Sequence, residues 1–369
     1  MSKNSLYLKY RPAQLEEVVG HKFIMATFKQ ASIQNKFAHA YLLTGVKGSG
    51  KTTTARILAN LMTCLAPKDG KTCGKCISCT TVPSGFAPDV VELDGAANGN
   101  IENVQGLIEG AQWHPSALAR TVYIIDECHQ LSSKAISALL KIVEEPPEHL
   151  VFIFCTTEPE KIPDTILSRA QRFKFRRIPV KDIVGRLRYI ADKEKINVDD
   201  AALYLMAKIS RGCMRDAIVP LEQISTLVVD KAITEAQVVK YFGLPDRQAV
   251  MSMAQSIVKG DISLLMDQVN DMVVASADPK DIAYEISELF RSMMLLKSQG
   301  GNSDLVELPD HEINQLKEVL GGLNMGQLVR LSHIFSTLKK ELSYSINERW
   351  VLESALIQGV AILRKQDSK

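Results

Sequence analysis

The sequence predicts an α/β unit built on a parallel sheet, followed by two helical units. Four short apolar runs, Ala40–Thr44, Val90–Leu93, Thr121–Ile125 and Val151–Cys155, alternate with helical patterns over residues 1–178. Strands buried on both faces read as continuously apolar, and their alternation with helices points to crossovers covering one sheet. From Pro179 onward such runs stop, and apolar residues recur at i, i+3, i+4 spacing. The 369 residues suit two or three domains of roughly 150 residues each.

The first run leads into Gly45-Val46-Lys47-Gly48-Ser49-Gly50-Lys51-Thr52, which fits G-x-x-x-x-G-K-[ST], and Thr53–Leu61 continues as a helix. Strand, loop and helix in that order are the context the pattern requires. Its glycines let backbone wrap closely around phosphates, and successive N–H groups with the helix N-terminus supply positive partial charge. Lys51 would reach the β- and γ-phosphates of a nucleotide, and the Thr52 hydroxyl would ligate Mg²⁺. The alternative is a glycine-rich turn with no ligand.

Cys64, Cys73, Cys76 and Cys79 follow, spaced C-x8-C-x2-C-x2-C. C-x2-C steps place thiolates on tight turns suited to tetrahedral Zn²⁺, and a site without an open position is structural. Redox chemistry and unrelated core thiols are the competing uses; disulfides suit a reducing cytoplasm poorly. Cys128, Cys155 and Cys213 lie apart and read as buried bystanders.

The third run ends in Asp126-Glu127. A strand-terminal Asp can hold Mg²⁺, and the adjacent Glu can polarise a water for in-line attack on a γ-phosphate; solvated carboxylates also end many strands. The fourth run ends in Thr156-Thr157, whose hydroxyls would sense the γ-phosphate if that strand lies beside the strand feeding the loop, although Thr is an ordinary strand residue. On spacing alone, Arg169 and Arg215 read as ordinary surface arginines or ion-pair partners.

Beyond the sheet unit, Asp182–Ile190, Ala201–Ile209 and Asp216–Leu227, interrupted at Gly212, form a small helical unit ending near Phe242-Gly243-Leu244-Pro245. Amphipathic stretches at Ala249–Val258, Ile262–Val274, Ile282–Leu296, Gln327–Leu338 and Trp350–Leu363 form the last unit, with a loop at Gly300-Gly301-Asn302-Ser303.

Composition narrows the class. Apolar residues are 46% and charged residues 23%, ordinary for a globular protein and unlike a disordered or collagen-like chain. No apolar run approaches the ~20 residues that span a bilayer, and the polar N-terminus has no signal-like apolar segment. A soluble, cytoplasmic protein without membrane contact is expected. Net charge is +2, but residues 1–178 carry 21 basic and 16 acidic side chains against 23 and 26 in the remainder. A basic N-terminal half suits a phosphate-rich partner.

In this order the motifs resemble the gamma/tau subunits of bacterial DNA polymerase III clamp loaders, which are AAA+ ATPases. The residues carrying the resemblance include Lys9-Tyr10-Arg11-Pro12, Val18-Val19-Gly20-His21, His39-Ala40-Tyr41-Leu42, the phosphate loop, the four cysteines and Asp126-Glu127 with His129. Leu139-Leu140-Lys141, Glu144-Glu145-Pro146-Pro147, Thr156-Thr157, Leu167-Ser168-Arg169 and Arg215-Asp216-Ala217 complete the set. The resemblance implies a P-loop AAA+ core over 1–178 with a zinc insertion at 64–79, a helical lid over 179–243 and a helical collar over 244–369. It places Arg11, Pro12, Val18 and Val19 by the adenine, and Gly45 to Thr53 on the phosphates. Asp126 and Glu127 become the Walker B pair, and Thr156 and Thr157 the first sensor. Arg215 becomes the second sensor on the lid, and Arg169 an arginine finger serving a neighbouring subunit.

The implied protein is a DNA-dependent ATPase of the polymerase holoenzyme, using ATP, Mg²⁺ and structural Zn²⁺ to load a sliding clamp onto primer-template DNA. Its implied partners are delta-like and delta-prime-like subunits in a hetero-pentamer, or copies of itself when alone. The chain ends where the short gamma form would. Two departures stand out: Ser168-Arg169-Ala170 replaces the family's Ser-Arg-Cys, and Asn98-Gly99-Asn100-Ile101 lacks basic residues that contact DNA phosphates in relatives. A non-hydrolysing scaffold of the same assembly is disfavoured by intact Lys51-Thr52 and Asp126-Glu127. A junction-remodelling AAA+ protein is disfavoured by the cysteine insertion and the long helical tail.

Overall fold

The computed structural model describes residues 5–228, 231–275, 277–300, 306 and 310–364. These pack as two compact units, residues 1–235 and 236–369. The helices expected at 182–227 therefore belong with the sheet.

In the first unit, α1 (Leu6–Lys9) and α2 (Lys22–Gln34) precede β1 (Ala40–Gly45) and α3 (Lys51–Thr63). Then come α4 (Ile77–Thr81), β2 (Val90–Asp94), α5 (Gly95–Asn98), α6 (Ile101–Gly110), β3 (Thr121–Asp126) and α7 (Ser133–Glu144). β4 (Leu150–Thr156), α8 (Asp164–Arg169) and β5 (Gln171–Phe175) close the sheet, and α9 (Val180–Glu194), α10 (Asp200–Ile209) and α11 (Met214–Leu227) follow. All strand pairs are parallel, in the order β2-β3-β4-β1-β5.

Side chains of a strand alternate between faces, and each central strand feeds two apolar layers. Tyr41, Leu43, Val122, Ile124, Val151 and Ile153 pack with Phe28 and Leu58 of the helices on one face. Leu42, Tyr123, Ile125, Phe152 and Phe154 pack with Ala135 and Leu139 of α7 on the other. The four expected strands are present within one residue at each end. The fifth escaped the sequence reading because Gln171-Arg172-Phe173-Lys174-Phe175 is an edge strand: Phe173 and Phe175 are buried and the polar residues are exposed. One-sided burial leaves alternation rather than an apolar run.

The second unit is helical: α12 (Glu235–Phe242), α13 (Arg247–Lys259), α14 (Ile262–Val274), α15 (Pro279–Ser298), α16 (Asp310–Leu320), α17 (Met325–Ser343) and α18 (Glu348–Arg364). Five of these match the expected stretches; α12 and α16 were not anticipated. Gly301, Asn302 and Ser303 of the expected loop lie outside the described residues. Phe290 and Phe335 stack with ring centroids 5.3 Å apart between α15 and α17. Gly359 lets α18 approach them, since a Cβ there would meet Leu331 and Phe335 side chains at 3.3 Å. No helix among the described residues is long and apolar enough to cross a membrane.

Phe290 is fully buried, and replacing a buried Phe by Ala typically costs about 3–5 kcal/mol. Phe290→Ala should unfold the second unit at lower denaturant and leave hydrogen exchange in β1, β3 and β4 unchanged. Equal loss of protection in the sheet would show that the two units do not unfold separately.

Candidate active site

β1 ends at Gly45, where φ is 144° and a Cβ would sit 2.1 Å from the Phe175 carbonyl oxygen; no other residue lets the chain leave the sheet here. The loop returns into α3 through Gly50, a left-handed N-cap. Lys51 is buried, and its ammonium donates to the carbonyl oxygens of Gly45 at 2.9 Å and Val46 at 3.0 Å. Burial lowers the Lys51 pKa, opposed chiefly by the Glu127 carboxylate. Thr52 Oγ1 donates to Asp126 Oδ2 at 2.6 Å, and Asp126 Oδ1 accepts from the Glu127 N–H at 3.0 Å. Burial raises the Asp126 pKa against those hydrogen bonds.

Glu127 adopts φ 45° and ψ 45°, a left-handed conformation that costs a non-glycine residue free energy and clusters at functional sites. Gly95 makes room for it, because a Cβ there would lie 2.7 Å from the Glu127 carbonyl oxygen. Glu127 Oε2 accepts from Thr157 Oγ1 at 3.3 Å and lies 3.5 Å from His129 Nδ1. The nearly buried His129 ring also meets Glu158 Oε1 through Nε2 at 3.0 Å and Thr156 Oγ1 through Nδ1 at 3.1 Å. The Glu158 N–H in turn donates to Thr156 Oγ1 at 3.0 Å.

Lys47 to Thr53, Asp126 and Glu127 line one cleft together with Arg11, Pro12, Val18, Val19 and Arg215. Gly45, Val46, Thr156, Thr157 and Arg169 are outside its lining. Thr157 touches Glu127 directly, and Thr156 reaches it through His129. Arg169 is partly exposed and pairs with Glu144 at 3.1 Å.

Tyr7, Tyr10, Ile178, Arg186, Met214 and Ile218 also line the cleft and were not anticipated. The Arg215 guanidinium lies 5.6 Å from the Tyr7 ring centroid. Burial lowers the Arg11 pKa, with Arg56 and Arg215 adding repulsion. Ser5 Oγ and the Leu6 N–H donate to Glu222 at 2.6 and 2.9 Å, Lys9 donates to Glu194 at 2.7 Å, and Arg186 donates to the Tyr10 carbonyl at 2.8 Å. These long-range ties carry no sequence signal. His129 does carry one, two residues past Glu127, but it becomes readable only with β4 placed beside β3.

The start of α11 rests on the loop. The Met214 N–H donates to the Gly48 carbonyl at 3.2 Å, and a Cβ on Gly48 would lie 1.9 Å from Cys213 Sγ. Cys213 is buried as expected, but against the phosphate loop. Cys128 and Cys155 are buried in the sheet unit.

The sulfurs of Cys64, Cys73, Cys76 and Cys79 all lie within 4.8 Å of one another. Cys76–Cys79, Cys79–Cys64, Cys73–Cys79 and Cys76–Cys64 are separated by 3.5, 3.7, 3.8 and 3.9 Å. These distances are too long for disulfides, whose S–S bond is about 2.05 Å. The N–H groups of Lys75 and Cys76 lower the Cys73 pKa to about 6, and burial pushes Cys79 up to about 12.

Residues 20–179 match a family model described as DNA polymerase III, delta subunit, and residues 182–224 match the DNA polymerase III clamp loader subunit, ATPase lid domain. Residues 233–367 match DNA polymerase III subunits gamma and tau domain III. The DNA polymerase III subunit tau of Bacillus subtilis is 34% identical over 97% of this chain. Along nearly its whole length the chain is similar to gamma and tau subunits of DNA polymerase III. It spans 63% of the length of the Bacillus tau subunit and 61% of the Mycobacterium tuberculosis gamma/tau subunit, to which it is 33% identical over 95% of its own length. The gamma subunit of Buchnera aphidicola is 29% identical over 99% of this chain and 100% of that one. Among solved structures, a RuvB variant of Thermotoga maritima superposes with a TM-score of 0.50 at 18% identity, covering 84% of this chain and 98% of that one. The chain thus has the AAA+ fold, with a lid and a helical C-terminal region.

Gly48→Ala should separate α11 from the loop, with a stability loss of about 1–3 kcal/mol, typical of overpacking, and faster alkylation of Cys213 mapped by mass spectrometry. Adding Cys213→Ala should recover part of the loss. A double variant no more stable than Gly48→Ala would place the strain elsewhere.

Proposed function

We propose that the chain is an ATP-hydrolysing motor subunit of a DNA polymerase III clamp loader, placing a sliding clamp on primer-template DNA. The observation that carries this reading is the Thr52–Asp126 pair, 2.6 Å apart at the foot of the phosphate loop, with Glu127 in the same cleft. The alcohol and carboxylate oxygens present an all-oxygen set suited to Mg²⁺, which keeps several waters and bridges substrate phosphates. Bound there, Mg²⁺ would neutralise charge on the β- and γ-phosphates. Lys51 and the loop N–H groups would bind the phosphates, and Arg11, Pro12, Val18 and Val19 would flank the base. Arg215 would reach the γ-phosphate from the lid.

Glu127 would orient the attacking water and accept its proton, held in place by Thr157 and His129. Thr156 would act through His129. Arg169, outside the cleft, would serve as a finger for a neighbouring subunit's site. In this reading residues 1–178 are the ATPase core, 179–243 the lid and 244–369 the collar. The proposed partners are delta-like and delta-prime-like subunits, the clamp and DNA, in a cytoplasmic hetero-pentamer.

Lys51→Ala should lower ATP hydrolysis by roughly two orders of magnitude or more, because the transition state loses its main cation. Arg169→Ala should bind ATP normally, yet its assemblies should lose most DNA-stimulated hydrolysis; arginine fingers are worth ~10³–10⁵ in rate. Assemblies that mix the two variants should regain hydrolysis at interfaces pairing an intact Lys51 with an intact Arg169. Mixed assemblies that form but stay inactive would remove Arg169 from the mechanism.

We also propose Zn²⁺ as the occupant of the cysteine cluster. A tetrahedron with Zn–S bonds of about 2.3 Å has sulfur–sulfur edges of about 3.8 Å, which fits the spacing found. Metal analysis should give about one Zn²⁺ per chain, and chelation should loosen residues 64–79 more than it weakens ATP binding. A metal-free protein with undiminished thermal stability would exclude it.

A further inference from the structure

Away from the nucleotide cleft, the N-terminal end of α2, the outer edge of β5 and the connection from β5 to α9 enclose an open groove of about 810 Å³. Lys22, Arg172, Lys174, Arg176 and Arg177 line it, and all five are exposed. Asp182 is the single carboxylate in the lining. Lys9, Lys29, Arg56, Lys161, Arg169 and Arg188 elsewhere in this unit have carboxylate partners. By contrast, none of the five groove cations has a described ion pair. Arg172 donates to the Leu167 carbonyl and Arg177 to the Arg211 carbonyl, contacts that fix the side chains without neutralising them. A groove lined mainly by one sign of charge concentrates field lines within it.

Two further features narrow the ligand. Arg172 and Lys174 occupy alternate positions of β5, so their side chains leave one face of the strand about 6.6 Å apart, and Arg176 follows just beyond its end. That repeat is comparable to the spacing of successive phosphates along an extended single strand. Phe23, 82% exposed, lies in the same lining and adds an aromatic side chain to it. A charged track with an adjacent aromatic platform is how proteins hold single-stranded nucleic acid without reading its sequence. An acidic peptide would use the charges but has no bases to stack on Phe23.

We propose that this groove is a binding site for a single-stranded polynucleotide, its phosphates on Arg172, Lys174 and Arg176 and a base on Phe23. It lies apart from the nucleotide cleft and does not rest on the ATPase reading. Charged side chains on an edge strand also discourage unwanted strand pairing, and the test separates the two roles.

Fluorescein-labelled dT20 is titrated with the full chain at several salt concentrations, read by anisotropy. The wild type should bind with a strong salt dependence. The combined Lys22→Gln, Lys174→Gln, Arg176→Gln variant should bind at least tenfold more weakly, with the slope of log affinity against log salt reduced by about two. Phe23→Ala should weaken binding about fivefold or more with the slope unchanged. An oligonucleotide carrying 5-iododeoxyuridine should cross-link to the peptide containing Phe23. Binding of a fluorescent ATP analogue, measured in parallel, should match the wild type and report an intact fold and cleft; should the triple variant not fold, Phe23→Ala and the cross-link decide.

Unchanged dT20 affinity and slope in the triple variant would overturn the proposal, as would cross-links confined to other peptides. Self-association of that variant without loss of dT20 binding would assign the charges to edge protection instead. Displacement of dT20 by a 20-residue polyglutamate, with no effect of Phe23→Ala, would assign the groove to an acidic peptide.

Discussion

β4 lies between β1 and β3, and the cleft depends on that insertion. It sets the loop after β1 and the carboxylates after β3 on either side of one intervening strand end. Thr52 and Asp126, 74 positions apart in sequence, thereby meet through one short hydrogen bond. The same insertion brings Thr156 and Thr157 to His129 and Glu127. In parallel sheets ligands gather at the carboxyl ends of the strands, and here three such ends converge. The apolar layers on both faces hold this order, because Phe152 and Phe154 of β4 enter one layer while Val151 and Ile153 enter the other.

The legible part of the fold was the part buried on both sides. The runs of β1, β3 and β4 needed no alignment, since four or five consecutive apolar residues mark a strand covered on both faces, while β2, at the other edge of the sheet, was read from Val90, Val91 and Leu93. β5 failed for the opposite reason: half of it faces outward, and its alternating Arg, Phe and Lys resembled surface sequence. A helix that buries a regular stripe, such as α14, was legible almost to the residue. α12, with one buried side chain in Val238, was not.

The site divides in the same way. Residues whose roles come from local backbone, Gly45 to Thr53, were visible because a phosphate loop is a contiguous motif. Thr157 and His129 act through a contact between β3 and β4, and a sequence without its strand order cannot supply it. The four cysteines were legible from spacing, since C-x2-C steps confine thiolates whatever surrounds them. The αL backbone of Glu127 was invisible, for nothing in Ile125-Asp126-Glu127-Cys128 announces a left-handed glutamate. It is a local rule broken at the place where chemistry is proposed, and such conflicts concentrate at functional positions.

The contact between Gly48 and the start of α11 has a thermodynamic consequence. Met214 donates to the loop carbonyl while its neighbour Arg215 lines the cleft, and Ser5 and Leu6 fasten α1 to Glu222 of the same helix. The position of α11 and the shape of the phosphate loop are thus parts of one mechanical element. Binding free energies that share such an element are reciprocal. Whatever factor a phosphate ligand imposes on the affinity of a protein gripping α11, that protein must impose on the phosphate ligand. One helix start thereby makes the loop a gauge of the forces applied to the lid.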